Sequence, residues 1–125
     1  MAIDRPDLYL ESAWNWDILK GCFGEGKIEP TDLDGFVEKN GHFLVLEAKK
    51  SGVPIKRGQL IAFERLQRTG LFTIIVMWGE QNQPEEMLVF YPIQGLKGQT
   101  SITLENIRGE VRKWYQEALD NPKTA

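Results

Sequence analysis

The chain has 125 residues, 42% hydrophobic and 26% charged, with a formal net charge of −3, which suffices for one domain with a real core and leaves no room for a second. The single cysteine, Cys22, excludes an internal disulfide, no zinc-type spacing exists, no apolar run approaches membrane-spanning length, and Met1-Ala2-Ile3-Asp4 lacks a charged-then-apolar leader, so a soluble cytoplasmic protein without membrane contact is expected. The acidic balance argues against a nonspecific nucleic-acid coat, which draws on many Lys and Arg contacts.

In chain order, Leu8 to Lys20 reads as an amphipathic helix with Leu8, Leu10, Trp14 and Ile18 turned inward. Gly21, Gly24 and Gly26 break the chain before a short strand at Lys27 to Glu29. A hairpin follows over Asp32 to Lys50, with a loop at Ser51 to Pro54. A helix from Lys56 ends at Gly70, whose lack of a Cβ suits a C-cap. Leu71 to Trp78 is a continuous apolar, β-branched run, the mark of a strand buried on both faces. Glu80 to Glu86 reads as a polar loop, Met87 to Tyr91 as a strand and Gly95 to Gln99 as a loop. Thr103 caps a last helix running to Leu119, with Leu104, Ile107, Val111 and Trp114 or Tyr115 as its apolar stripe. Residues 1–5 and 121–125 are expected to fray. The pattern predicts one α/β domain.

The hairpin carries the most information. Asn40-Gly41 between apolar runs is a strong signal for a two-residue turn, because a type I′ turn needs positive φ at both central positions. If Lys39 and His42 close it, Phe36 faces Val45, Asp34 faces Glu47 and Asp32 faces Lys49. Side chains alternate, so these residues project from one side of the sheet, while Leu33, Val37, Leu44, Leu46 and Ala48 project from the other. One side reads as core and the other as chemistry.

Carboxylates directly opposite each other have Cβ atoms roughly 4.5–5.5 Å apart and destabilise a sheet unless something offsets their repulsion. Mg²⁺ does so well, because it takes oxygen ligands and is commonly held by one or two carboxylates. Lys49 emerges beside the same spot, completing a site that would attract a phosphodiester and orient a water towards it.

Asp34, thirteen residues, then Glu47-Ala48-Lys49 resembles the PD-(D/E)xK nuclease superfamily. The following segment, Val53 to Val76, is similar to its virus-type replication-repair (VRR-NUC) and Holliday-junction-resolvase branches, in which a helix bearing a Gln near its start follows the ExK strand. The resemblance covers Pro30 to Trp78, a little under half the chain. It implies a restriction-endonuclease-like core of order αβββαβ, a mixed sheet flanked by helices, here with an extra strand and a C-terminal helix. It further implies Asp34 and Glu47 as ligands of Mg²⁺ (or Mn²⁺), the Ala48 carbonyl as an added ligand, Lys49 as the residue that orients the water, and Gln59 as a residue positioning phosphate or water. Glu11 on the first helix is a further candidate ligand, as is Glu29. Leu33 stands where the family's name puts Pro, which leaves Asp32 beside Asp34 as a possible main ligand; the cross-strand register favours Asp34.

Charge distribution agrees with this. From Lys49 to Arg68 the residues Lys49, Lys50, Lys56, Arg57, Arg65 and Arg68 stand against Glu64 alone. Lys56 and Arg57 open a helix, where the macrodipole already favours anions, so they join Lys50 as candidate DNA contacts; Arg65 and Arg68 read as a solvated face. His42 falls on the side opposite the acids, which disfavours it as a catalytic base. The expected function is a Mg²⁺-dependent endodeoxyribonuclease acting on branched or structured DNA as a homodimer, in a bacterial or phage-infected cell. The alternatives are a catalytically inactive nuclease-fold module that binds DNA or protein, and an unrelated α/β protein whose hairpin acids are merely solvated.

Overall fold

The computed structural model describes residues 14–123. The chain divides after Asp32 into two units.

In the first unit, residues 14–20 do not form the expected α-helix. Asn15 caps a 3₁₀ turn at Trp16–Leu19, its side chain accepting the N–H of Asp17 at 3.0 Å. Trp14 and Ile18, expected inside, are exposed. The physical reason is local competition: Asn15 and Asp17 offer the backbone alternative partners, and Gly21 and Gly24 turn at φ 89° and 79°, ending the segment before helix can propagate. The part of that helix at residues 8–13, with Glu11, lies outside the described residues. No strand forms at Lys27 to Glu29, which is irregular and exposed; flanked by Gly26 and Pro30, this Lys-Ile-Glu stretch pairs with no neighbour among the described residues.

The second unit is a five-stranded mixed sheet with a helix on each face. Its elements are β1 (Gly35–Lys39), β2 (His42–Lys49), α1 (Arg57–Arg68), β3 (Phe72–Glu80), β4 (Gln83–Tyr91), β5 (Gly95–Thr100) and α2 (Leu104–Asp120), with strands in sequential order across the sheet. Only β2 and β3 are parallel, joined by the α1 crossover; the other neighbours are antiparallel. Two strands, not three, precede α1 among the described residues. The expected polar loop at Glu80 to Glu86 is the tight β3–β4 hairpin, turning at Gln81-Asn82 with Asn82 at φ 59°. The expected loop at Gly95 to Gln99 is β5, which lacks apolar alternation because most of it faces solvent.

Turn chemistry fixes the β1–β2 register. Asn40 and Gly41 have φ of 52° and 83°, and the pairs run from Lys39 with His42 to Gly35 with Leu46, as expected. Both faces of this sheet are core, however, rather than one. Phe63 of α1 packs with Val45, Ile74, Val76 and Phe90 of the sheet; Ile107 and Trp114 of α2 pack with Leu44, Ile75, Met87 and Val89. Val45, expected on the chemical side, is fully buried, whereas Leu33, Val37 and Ala48, expected inside, are exposed at the sheet margin. Helix α1 ends as expected, with Thr69 as C-cap and Gly70 at φ 79°. Thr103 and Asn106 form a capping box at the start of α2. Its inward stripe is Ile107, Val111, Trp114 and Ala118; Leu104 and Tyr115 are exposed.

Residues 121–123, expected to fray, are tied down; 124–125 lie outside the described residues. The Lys123 N–H donates to the Asn40 carbonyl at 2.7 Å and its ammonium to the Gly70 carbonyl at 2.7 Å. His42 Nε2 meets the Asn121 carbonyl at 2.6 Å, so it carries the proton of that bond, and the Asn40 amide donates to the carbonyl of Ala118. The hairpin turn is thereby clamped from behind.

Candidate active site

Backbone geometry sets the site. In an antiparallel pair alternate residues exchange backbone bonds, so from the Lys39–His42 closure Leu44, Leu46 and Ala48 turn their N–H and C=O towards β1, while Phe43, Val45, Glu47 and Lys49 turn theirs towards β3. The bond from Phe43 N to the Leu71 carbonyl, at 2.9 Å, fits this pattern. β1 pairing stops at Gly35, and one residue beyond it the Asp34 carboxylate accepts the Ala48 N–H at 2.9 Å. A side chain thus takes the donor that a longer strand would have met with backbone. The Ala48 carbonyl lies on the same strand edge.

Glu47 projects under the start of α1 and is only 8% exposed. Burial, and then the neighbouring Asp34 charge, push its carboxyl above the usual range; Gln59, Lys49 and the Asp34 backbone pull the other way. Lys49 Nζ lies 4.0 Å from Glu47 Oε1. The Gln59 amide approaches Glu47 closely enough to bear on its proton, yet the alignment falls short of a well-formed hydrogen bond: Glu47 Oε2 and Gln59 Oε1 are both buried without a partner. Two orphaned acceptors beside a second carboxylate form a pocket of oxygen lone pairs, a donor set that suits a hard divalent cation. Among the described residues no group of three or more His, Cys, Asp and Glu side chains gathers, so the acidic part of the site is the Asp34–Glu47 pair.

The structure therefore brings Asp34, Glu47, Ala48, Lys49 and Gln59 together. Asp32 is engaged elsewhere, accepting the Trp16 indole N–H at 3.2 Å, and Glu29 is exposed in the first unit. Lys50, Lys56 and Arg57 are all exposed. Lys56 is the N-cap of α1 without a side-chain cap bond, and the first turn contains no acid, so the positive end of the helix stands open beside two cations.

Sequence reasoning missed what holds the loop between β2 and α1. The Trp78 indole donates to the Val53 carbonyl at 2.6 Å and Ser51 Oγ to Glu85 Oε2 at 3.2 Å. The signal was present: Trp78 pairs with Lys49, and strand alternation puts its ring on the Glu47 face.

A cavity of about 470 Å³ lies away from the acids, under α2, lined by His42, Thr73, Tyr91 and Trp114 among others. Burial and then the Glu110 carboxylate push Tyr91 up to about 12, so its hydroxyl keeps its proton. Lys113 pairs with Glu110 and Lys123 with the Gly70 carbonyl, so these charges are already committed.

No protein-family model, curated protein or solved structure matches this chain. The site stands on its own geometry. No helix among the described residues is long and apolar enough to cross a membrane.

Proposed function

We propose that this chain is a divalent-cation-dependent DNA endonuclease of the PD-(D/E)xK type, hydrolysing phosphodiester bonds of branched or structured DNA. The observation that carries this reading is the buried, unpartnered Glu47 Oε2, beside the equally unpartnered Gln59 Oε1 and facing Asp34 across the end of the β1–β2 ladder. An arrangement that costs stability without a ligand points to one with it. Asp34, Glu47 and the Ala48 carbonyl would hold Mg²⁺ or Mn²⁺, which when bound supplies Lewis acidity to the phosphodiester. Lys49 orients the water and offsets charge on the phosphate, and Gln59 fixes the phosphate or the water. Lys50, Lys56 and Arg57, with the open end of α1, grip the flanking backbone. Water attacks phosphorus, the bond to the 3′ oxygen breaks, and 5′-phosphate and 3′-hydroxyl ends remain.

The deciding experiment incubates the protein with supercoiled plasmid and with a synthetic four-way junction, with and without Mg²⁺, alongside Lys49→Ala. Mg²⁺-dependent nicking or junction cleavage that Lys49→Ala abolishes supports the reading; no cleavage of either substrate in Mg²⁺ or Mn²⁺ overturns it.

One observation favours a second reading, an inactive nuclease-fold module that binds DNA or protein. Asp34 already spends an oxygen on Ala48, and Lys49 already lies beside Glu47. Such a binder should need no Mg²⁺ and should survive Asp34→Ala with its affinity unchanged.

A further inference from the structure

Among the described residues β1 is an edge strand, with one side of its backbone unpaired. Gly35, Val37 and Lys39 exchange bonds with β2, so the N–H and C=O groups of Phe36 and Glu38 point outward. Its side chains are uncovered on both faces: Phe36 is 54% exposed on the α1 face, and Val37 and Leu33 are 42% and 45% exposed on the α2 face. The end of α2 reaches the same corner, where the Ala118 carbonyl takes the Asn40 amide, and Leu119 beside it is 41% exposed. The other edge, β5, is blunted by Gly95 and Gly98 around an exposed Lys97. β1 has no such device at its centre; its charges, Glu38 and Lys39, sit at the turn end.

We propose that β1 pairs antiparallel with β1 of a second copy of this chain, about a two-fold axis at Val37, joining the two sheets into one. The charge pattern is compatible with a second copy as the partner and selects among its registers. Residues that face each other across such a pair must lie on the same side of the sheet, so the axis passes through a residue. An axis at Phe36 sets Asp34 against Glu38, and one at Glu38 sets two glutamates face to face, both repulsive. An axis at Val37 sets Phe36 against Glu38 and Gly35 against Lys39, with no like charges opposed. In that register the outward backbone groups of Phe36 and Glu38 satisfy each other twice. Val37 meets its copy at a non-hydrogen-bonded position, where side chains come closest. The axis stands perpendicular to the sheet, so both α1 faces, each with its Asp34–Glu47 pair, lie on the same side. This pairing does not rest on the nuclease reading.

The test uses the full chain with Cys22→Ser as background, its mass measured by light scattering at rising concentration. The parent should dimerise, and Val37→Asp, which opposes two carboxylates on the axis, should weaken the dimer by about a hundredfold or more with its circular dichroism retained. Under mild oxidation Val37→Cys should cross-link to a covalent dimer, whereas Phe36→Cys and Lys39→Cys, which face other residues in this register, should not. A parent that stays monomeric, a Val37→Asp variant that stays dimeric, or cross-linking at Phe36→Cys in place of Val37→Cys overturns the proposal. If Val37→Asp fails to fold, the cross-linking pattern decides alone.

Discussion

The Asp34 carboxylate accepts the backbone N–H of Ala48 at 2.9 Å, one residue past the last β1–β2 pair. The bond holds one acid at the strand end, its second oxygen without a hydrogen bond among the described residues, across from a Glu47 that is buried with an oxygen to spare. Repulsion and unmet hydrogen-bonding capacity are thereby concentrated in one place.

Mg²⁺ or Mn²⁺ should raise the melting temperature, because a ligand that binds only the folded state stabilises it by mass action. At tenfold its dissociation constant the gain is about 1.4 kcal/mol, a few degrees for a domain of this size. Asp34→Ala and Glu47→Gln should each abolish that gain in a thermal scan with and without the ion. An undiminished gain in both variants would place the cation elsewhere.

The Glu47 carboxyl sits above its ordinary value of 4.5, chiefly through burial. A carboxyl whose folded pKa is raised takes up its proton more readily in the folded state, so the stability it contributes is full below the unfolded value and is lost as pH rises through the folded one. Glu47→Gln should therefore flatten the stability–pH curve upward from about pH 4.5. The variant should be more stable than the parent at pH 7 by about 0.5–1 kcal/mol. Urea titrations at several pH values check this, and equal slopes for parent and variant would contradict it.

Lys49→Ala should leave the far-ultraviolet circular dichroism unchanged and lower any cleavage rate by about 10²-fold or more. Trp78→Phe keeps an aromatic ring on the sheet but removes the indole N–H that bonds Val53, together with part of the ring's bulk. It should lower the rate less and leave the cation-induced melting shift intact, since the loop it fastens leads into the start of α1, with Lys56 and Gln59, rather than to the acids. Rates at saturating Mg²⁺ with parallel melting scans separate the two roles.

The legible parts of this chain are those whose signal is local. Asn40-Gly41 specified a turn and hence a register, the unbroken run from Leu71 to Trp78 a strand covered on both faces, which begins at Phe72, and Thr103 a helix start. Within the site, Glu47, Ala48 and Lys49 come from one strand, and their relation to Asp34 followed from the same register. What escaped depends on partners far along the chain. Residues 95–100 are a strand only because β4 lies beside them, and nothing in Gly-Leu-Lys-Gly-Gln-Thr alternates. Gln83 and Glu86 are polar yet paired, Gln83 with Glu80 and Glu86 with both Trp78 and Thr100. Val37 and Leu33 look like core in a hairpin taken alone and are exposed because β1 is an edge.

Gly41→Ala should cost about 1–3 kcal/mol. The φ of 83° disfavours any side chain, and a Cβ there would run into the Lys123 carbonyl. Removing residues 121–125 should relieve that clash, so the same substitution should cost less in the shortened chain. Equal costs in denaturant titrations of the two backgrounds would show that the clamp over the turn contributes nothing.

The bonds that secure the Asn40-Gly41 turn come from residues 78 and 79 positions further on. A hairpin closes in about 1–10 μs, whereas a ribosome adding about 5–20 residues per second needs several seconds to deliver Ala118 and Asn121. During that interval Leu44 and Ile75 have no α2 to cover them, and the emerging sheet presents a bare oily flank to solvent. Translation speed rather than turn formation then limits how soon this protein becomes safe from aggregation, which protease pulses on stalled chains of increasing length would measure.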